Sequence, residues 1–350
     1  PGRDKWTRVE KIGIPTNLIV AVLLLIFLFR GRDLGATTTS VSFTNETGQM
    51  IERVIPKSDF RKKVAIFSLN NNLVDSNLVW QVHAIPDMIN TDLLQDMYMD
   101  IISVYEFFDD IRESGYPKAV EIPMPVMKKL AEDQYMDYFI TGSIENQKDH
   151  FSVYLVLHDT RTTKKLAENI FTGINVLDMV DHISNWLKES LSIPKSHIEK
   201  KVDMPVSEIM TNSASALRYF YDGNNEIVLK EDWEKGLELL ELSILHDSTF
   251  AYAYIRYYFT SLLNNRTDEA QQAFRQLMKY LYKIPERTQL ALKVLYYHQV
   301  EPDPEMALEL AERWSKLYPE DVSAYMWLTW LYMLRHEKVK ELEAYKILLN

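Results

Sequence analysis

The chain has 350 residues, of which 47% are hydrophobic and 25% are charged, a composition that is typical of folded domains and excludes a disordered chain. Acidic side chains (50) outnumber basic ones (39), and the net charge of −11 opposes binding to nucleic acid or to anionic lipid. The chain has no cysteine, which excludes thiol nucleophiles, disulfides and cysteine-ligated zinc. It also has no glycine-rich phosphate-binding loop of the GxGxxG or GxxxxGK[ST] type.

An apolar run without any charged residue extends from Ile12 to Phe29. At about 1.5 Å per residue, a helix of this length reaches roughly 27 Å, close to the thickness of the hydrocarbon core of a membrane. Basic residues flank the run, with Arg3, Lys5, Arg8 and Lys11 before it and Arg30 and Arg32 after it. This asymmetry predicts a transmembrane helix over residues 12–29, with residues 1–11 in the cytoplasm and the bulk of the chain exported. A cleaved signal peptide and a buried core helix are the alternatives.

After a predicted linker over residues 30–62, which is rich in Thr, Ser, Gly and Asn, the pattern predicts a small α/β domain over residues 63–193. Its predicted elements are a strand at 64–69, a helix at 84–97, a strand at 99–107, a helix at 124–134, strands at 138–144, 151–159 and 164–173, and a helix at 176–191. The first three elements form a βαβ unit. Short polar connections between the last three strands predict antiparallel hairpins.

The order of these elements and their motifs resemble the amino-terminal domain of the TolB family. Gly142-Ser143 lies in one strand, a polar hairpin follows, and the next strand ends in Asp159-x-x-Thr162. The resemblance covers residues 63–193, although Phe67-Ser68 stands where Pro-Phe usually follows the first strand. It implies a TolB-like α/β fold. It also implies a bacterial setting in which this module precedes tetratricopeptide repeats outside the membrane, in polypeptides whose cytoplasmic part is a protein kinase, a class III nucleotide cyclase or a winged-helix domain.

A proline-bearing segment over residues 194–212 predicts a hinge, and residues 213–350 are predicted to be helical throughout. One frame recurs there: small residues at Gly236, Ala273 and Ala307 lie 37 and 34 positions apart, and Ala344 is next in phase. This period predicts tetratricopeptide (TPR) repeats, the last one incomplete at the carboxyl end. The predicted fold class is therefore α+β: a small α/β domain followed by an all-α TPR solenoid, with one amino-terminal transmembrane helix.

The first helix of each predicted repeat offers candidates for a partner-binding groove. In the TPR frame these positions are Tyr252, Phe259, Gln289, Tyr296, Ser323 and Trp330. Stacked repeats create an extended concave surface, on which aromatic and amide groups can anchor a peptide or a partner helix. The competing interpretation is that the same side chains pack against neighbouring helices.

No group of residues predicts a catalytic or metal site. His83 and Asp87 have helical i, i+4 spacing, but no further ligands accompany them. The acidic cluster Glu106, Asp109 and Asp110 is predicted to cap a backbone or to face solvent. We expect no metal and no cofactor in this segment, and the sequence leaves open whether the full-length protein carries a kinase or cyclase domain.

These patterns predict a non-catalytic, extracytoplasmic protein-binding or sensory region of a single-pass bacterial protein of the inner membrane. The expected partner is a protein or peptide of the envelope, bound through the TPR groove. Nucleic acid is excluded for this segment, and signalling would require a homodimeric or hinged arrangement. The alternatives are an anchored envelope assembly scaffold without signalling, and the regulatory arm of a serine/threonine kinase or nucleotide cyclase whose catalytic domain lies outside this chain.

Overall fold

The computed structural model describes residues 37–73, 78–147, 150–199 and 203–349. The predicted transmembrane helix (12–29) and the juxtamembrane residues 1–11 lie outside these ranges. Among the described residues, no helix is long and apolar enough to cross a membrane.

The described residues form a β-hairpin, a six-stranded sheet with its helices, and a series of packed helices that extends to the carboxyl end. The strands are β1 (Thr38–Thr44), β2 (Met50–Pro56), β3 (Lys62–Ile66), β4 (Asn70–Asn72), β5 (Met99–Ile102), β6 (Tyr138–Gln147), β7 (His150–Asp159) and β8 (Lys165–Gly173). The helices are α1 (Gln81–Leu93), α2 (Phe108–Glu113), α3 (Met124–Asp133), α4 (Val176–Ser190), α5 (Lys195–Ile198), α6 (Val206–Ile209), α7 (Ala214–Lys230), α8 (Trp233–His246), α9 (Ala251–Leu263), α10 (Thr267–Lys279), α11 (Glu286–Gln299), α12 (Pro304–Leu317), α13 (Val322–Leu334) and α14 (Lys338–Leu348). The α+β class is confirmed.

The sheet has the strand order β5-β3-β6-β7-β8, and β4 pairs with β6. β3 runs parallel to β5 and β6, which confirms the βαβ unit, and β6, β7 and β8 form the predicted antiparallel hairpins. Side chains alternate between two faces, so Ile66 joins the core under α1 and α4, whereas Phe67 and Phe139 join the core under α2 and α3.

The strand predicted at 99–107 ends at Ile102, and the prediction is wrong for residues 103–107. The Ser103 side chain accepts a hydrogen bond from the backbone N–H of Tyr105, and Glu106 accepts one from the N–H of Ser103. This capping box starts a 3-10 turn that leads into α2 and buries Phe107. The predicted capping role of this acidic cluster is confirmed for Glu106.

The prediction of a linker over residues 30–62 is wrong for residues 38–56, which form the β1–β2 hairpin. Its turn is closed by Asn45, whose side chain accepts hydrogen bonds from the N–H groups of Thr47 and Gln49, and Gly48 supplies a positive φ. Phe43 and Ile55 are buried in one cluster with residues of α11–α13. The hairpin is therefore part of a hydrophobic core.

The predicted hinge, residues 194–212, contains the short helices α5 and α6. Where the structure describes it, this segment is fastened to the α/β domain. The N–H of Val206 donates to Asp181 (3.0 Å), the N–H of Met204 donates to Gln95 (2.9 Å), and Lys188 pairs with Asp203 (2.5 Å). These contacts tie the start of the helical part to α1 and α4.

The helical part is built from the pairs α7–α8, α9–α10, α11–α12 and α13–α14. α9, α11 and α13 coincide with the predicted first helices. The small residues of the recurring frame, Gly236, Ala273, Ala307 and Ala344, are all buried in the second helix of a pair. A Cβ atom on Gly236 would lie 2.3 Å from Cγ1 of Ile227 in α7, so only glycine allows this approach. The helical repetition is thus observed, and the TPR identity of the repeats stays a prediction.

Arg287 at the start of α11 joins the helical part to the sheet. Its Nη1 lies 2.7 Å from Asp100 in β5, and its Nε lies 2.6 Å from Asp321, the residue that caps α13. Burial alone would lower the pKa of Arg287, but the two carboxylates outweigh burial and raise it. The charge is therefore fixed by two acidic partners from different parts of the fold.

Arg61, just before β3, strengthens the same joint and is almost fully buried. Its Nη2 donates to the carbonyl oxygen of Leu317 (2.8 Å), and its Nε lies 3.2 Å from Glu320. Both guanidinium groups lie over the ring of Tyr318, at 5.4 Å (Arg61) and 5.9 Å (Arg287) from its centroid. These contacts hold the α/β domain against the α12–α13 connection.

Replacing Gly142 by alanine should destabilise the fold. A Cβ atom there would lie 2.2 Å from the carbonyl oxygen of Tyr154 and 2.8 Å from Cδ2 of Leu155, so the β6–β7 pair must shift. We expect a loss of about 2–3 kcal/mol in the free energy of unfolding, measured by denaturant titration. Gly173→Ala is the control, because the nearest atom there lies at 3.5 Å. Equal losses in both variants would contradict this account of the Gly-Ser motif.

Replacing Arg287 by methionine should weaken the joint. The change leaves Asp100 and Asp321 without their shared partner. The pair is partly buried, so we expect a loss of about 1–3 kcal/mol, between the cost of an exposed ion pair and that of a fully buried one. The control is Arg266→Met, which removes an arginine of similar accessibility whose two carboxylate partners, Glu234 and Glu269, are exposed. Water screens that pair, so we expect a much smaller loss in the same denaturant titration. Similar losses in the two variants would show that the Arg287 joint is not structural.

Candidate functional site

Of the six predicted groove residues, Tyr252 is covered by another part of the same chain. Its hydroxyl group is buried beside Asp87 of α1, and this burial raises the pKa of Tyr252 well above its ordinary value. Asp87 also accepts a hydrogen bond from the hydroxyl of Tyr221 in α7 (3.0 Å). The α/β domain of the same chain therefore covers this position.

Gln289 and Ser323 lie near helix starts, where their contacts are local. Gln289 donates from Nε2 to the carbonyl oxygen of Ile284 (2.7 Å), just before α11. Ser323 is exposed in the first turn of α13, and its N–H donates to Asp321 (3.1 Å). Gln289 thus satisfies a backbone group of its own segment, and Ser323 offers only a small hydroxyl to a partner.

The other three candidates, Phe259, Tyr296 and Trp330, stay accessible; we call them the aromatic row. They occupy equivalent positions in α9, α11 and α13, with separations of 37 and 34 residues. Phe259 is 42% exposed and Trp330 is 45% exposed, while Tyr296 is half-buried. The row therefore presents one partly exposed aromatic ring from each of three successive first helices.

Ring contacts between helices hold the members of the row in place. Tyr296 packs edge-on against Phe274 of α10 at 5.4 Å between centroids, and Phe274 packs against Tyr258, the neighbour of Phe259, at 4.5 Å. Trp330 packs edge-on against His298 of α11 at 6.4 Å. Because these rings are supported by other rings, they lose little conformational freedom when a partner binds.

Polar groups accompany the row. Tyr258 donates a hydrogen bond from its hydroxyl to Gln299 (2.9 Å), and Arg275 forms an exposed ion pair with Glu301 (3.2 Å). Burial together with the nearby carboxylate of Glu301 raises the pKa of Tyr296, so its hydroxyl stays protonated and can donate a hydrogen bond. The arrangement combines apolar rings with a polar rim, as protein-binding surfaces do.

The sequence analysis missed two apolar side chains next to the row. Leu263 lies one turn after Phe259 and is 65% exposed, and Met326 lies one turn before Trp330 and is 59% exposed. Both have the i, i+4 spacing that places residues on one helix face. That spacing was visible in the sequence, but the helices are apolar on all sides, and periodicity alone did not separate exposed from buried positions.

His83 and Asp87, which were considered as metal ligands, do not point to a common site. His83 Nδ1 lies 2.7 Å from the hydroxyl oxygen of Ser68, whereas Asp87 bonds to Tyr221. Burial lowers the pKa of His83 to about 4, so the imidazole is neutral at physiological pH. No carboxylate of the described residues orients this Ser–His pair as a catalytic triad would require. In the part of the chain that the structure describes, no group of three potential metal ligands is found.

A crevice of about 1030 Å³ opens between the α/β domain and the α7–α8 pair. Its lining includes Trp80, His83, Arg218, Asp222 and Asn225. Acidic and basic side chains are mixed there, and no single ligand chemistry is favoured. The crevice therefore does not define a functional site.

Comparisons with known proteins match no family model and no curated protein. Among solved structures, the LpoB carboxyl-terminal domain from Salmonella enterica is 12% identical at a TM-score of 0.25, and the match covers 44% of this chain and 94% of that one. TolB from Acinetobacter baumannii is 15% identical at a TM-score of 0.26, over 44% of this chain and 31% of TolB. PelC from Paraburkholderia phytofirmans is 14% identical at 0.27, over 44% and 96%. TolB is thus among the chains to which this one is similar, and TM-scores this low carry no argument about function.

Replacing Asp87 by asparagine tests the contact that covers Tyr252. Burial raises the pKa of Asp87 to about 6, although Tyr221 and Arg256 act in the opposite direction. The folded chain therefore binds a proton more tightly than the unfolded chain, and the stability that this proton contributes is present below about pH 4 and lost as the pH rises to about 6. Asp87→Asn lacks this loss, so we expect it to gain about 2–3 kcal/mol over the wild type between pH 4 and pH 7. Parallel pH profiles of unfolding free energy would contradict the burial of a charged Asp87.

Proposed function

We propose that this chain is a non-catalytic, protein-binding region that recognises a peptide segment of a partner protein through the aromatic row. The observation that carries the proposal is the row itself: Phe259, Tyr296 and Trp330 are accessible at equivalent positions of successive helices. A spacing that repeats along the fold suits an extended partner, because each helix pair offers one anchor.

The chemistry of the row supports a protein partner. Tyrosine and tryptophan dominate the binding energy of protein interfaces because they bury large rings with few rotatable bonds. Leu263 and Met326 extend the apolar surface, and the Arg275–Glu301 pair provides a polar edge. A small polar metabolite would leave much of this surface unused.

We further propose that the chain works at the outer side of a bacterial inner membrane, anchored by residues 12–29. The support is the uncharged apolar run and the excess of basic residues before it. In this setting the row would bind a protein of the envelope, and a domain outside this chain would supply any output. A reporter-fusion assay that locates residues after 60 in the cytoplasm would overturn the topology without affecting the role of the row.

Selection of short random peptides on the immobilised full chain tests the row directly. We expect enriched peptides whose affinity, measured by fluorescence anisotropy, falls about thirtyfold or more in the variant Phe259→Ala/Tyr296→Ala/Trp330→Ala. Tyr282→Ala is the matched control, because Tyr282 is 65% exposed in the same helical part but lies outside the row. Circular dichroism checks that each variant is folded.

Two results would overturn the proposal. The first is enrichment of peptides that bind the triple variant as tightly as the wild type. The second is the absence of any enrichment over a blank surface, since a surface built for peptides should select some from a random set.

A further inference from the structure

The outer edge of the sheet is formed by β8, a strand of nine residues. β8 pairs with β7 on one side, and no other strand of the described residues pairs with its far side. Natural edge strands are usually short, interrupted by proline or heavily charged, because a free edge is a template for another strand. β8 has no proline, and it exposes Leu166 (46%) and Ile170 (62%).

One hydrogen bond shows which backbone groups of β8 face the open edge of the sheet, and this bond must be released when another strand pairs there. The N–H of Ile170 donates to the side chain of its own neighbour, Asn169, at 2.9 Å. Backbone groups of successive residues point to opposite sides of a strand, so those of Ile170 point outward, as do those of Glu168 and Thr172. A β-bulge against β7 at Lys165–Ala167 interrupts this alternation near the start of β8. Asn169 points its backbone toward β7, where it is paired with Leu155.

We propose that β8 pairs with β8 of a second copy of this chain, antiparallel and with the two-fold axis at Asn169. In this register Glu168 lies opposite Ile170 of the other copy, and Ala167 lies opposite Phe171. No two like charges lie directly opposite each other, and the exposed Ile170 of each copy adds an apolar side chain at the junction. The strand is thus complementary to itself, which a two-fold interface requires.

The pairing is independent of the proposed peptide-binding function, because no residue of the aromatic row belongs to the sheet. Two nine-residue strands bury less than about 1,000 Å² in total, so the free chains associate weakly. Anchoring in one membrane, as proposed above, raises their effective concentration and favours the pair.

Cysteine crosslinking tests the register, since the chain has no cysteine of its own. In the proposed pair, residue 169 faces itself at a position without backbone hydrogen bonds, where the Cβ atoms lie about 4.5–5.5 Å apart and a disulfide can form. We expect Asn169→Cys to give a crosslinked dimer under mild oxidation about tenfold faster than Thr172→Cys, whose two copies would lie roughly 20 Å apart. Thr172 is a matched control because it is exposed on the same strand. Equal rates for the two cysteine variants would overturn the proposal.

A charge test in the Asn169→Cys background separates this register from other contacts. Ile170→Glu places a carboxylate opposite Glu168 at both ends of the pair and should slow crosslinking about tenfold. Adding Glu168→Lys creates opposite charges at the same places and should restore the rate. The proposal fails if Ile170→Glu leaves the rate unchanged or if the double variant is not rescued. It also fails if Asn169→Cys stays monomeric under oxidation while the edge binds a selected peptide. Loss of that peptide binding in Ile170→Pro would show that the peptide pairs with β8.

Discussion

The ion pairs of Arg287 with Asp100 and Asp321 are the interaction on which the arrangement of this chain depends. Asp321 also accepts hydrogen bonds from the indole of Trp314 and from the first turn of α13, so one carboxylate serves the joint, a helix cap and a buried ring. A buried charge is tolerated only while its partners are present. The guanidinium pairs with both carboxylates, so β5 and the start of α13 are held at a fixed separation. The α/β domain therefore packs against the starts of α11 and α13.

The position of the α/β domain against the helices determines which positions of the helical frame are accessible. Tyr252 lies near the start of α9, where α1 covers it, whereas Phe259 lies two turns further along the same helix and is accessible. In α11 and α13 the early positions, Gln289 and Ser323, have only local contacts. The frame assigned the six positions as equivalent pairs, but equivalence within a repeat does not specify what else packs on that face. The contacts of the α/β domain cover Tyr252, and those contacts could not be read from the repeat frame.

The elements that the sequence predicted well are those whose signal is local. α9, α11 and α13 follow from the spacing of small residues, and β6, β7 and β8 follow from alternation with short polar turns. The β1–β2 hairpin was missed because its reason to be ordered lies far away: Phe43 packs under the guanidinium of Arg313, 4.9 Å from the ring. The segment from Asn45 to Gly48 was nonetheless a readable turn signal between two alternating stretches. The early end of β5 was readable too, since Ser103 and Glu106 have the spacing of a capping box.

A rigid joint also limits how the two proposed surfaces can influence each other. A ligand on the aromatic row changes the pairing of β8 only if it binds the paired and unpaired chains with different affinity. The row lies in the helices and β8 lies in the sheet, and the contacts of Arg61 and Arg287 hold these parts in one arrangement. Coupling between the row and β8 would need a second arrangement of that joint. A chain of residues between the two surfaces does not by itself provide a second arrangement. If the joint has a single arrangement, partner binding at the row and pairing of β8 do not affect each other, and the chain would act as an assembly surface with two binding sites. A sensor role would require the joint around Arg287 to open.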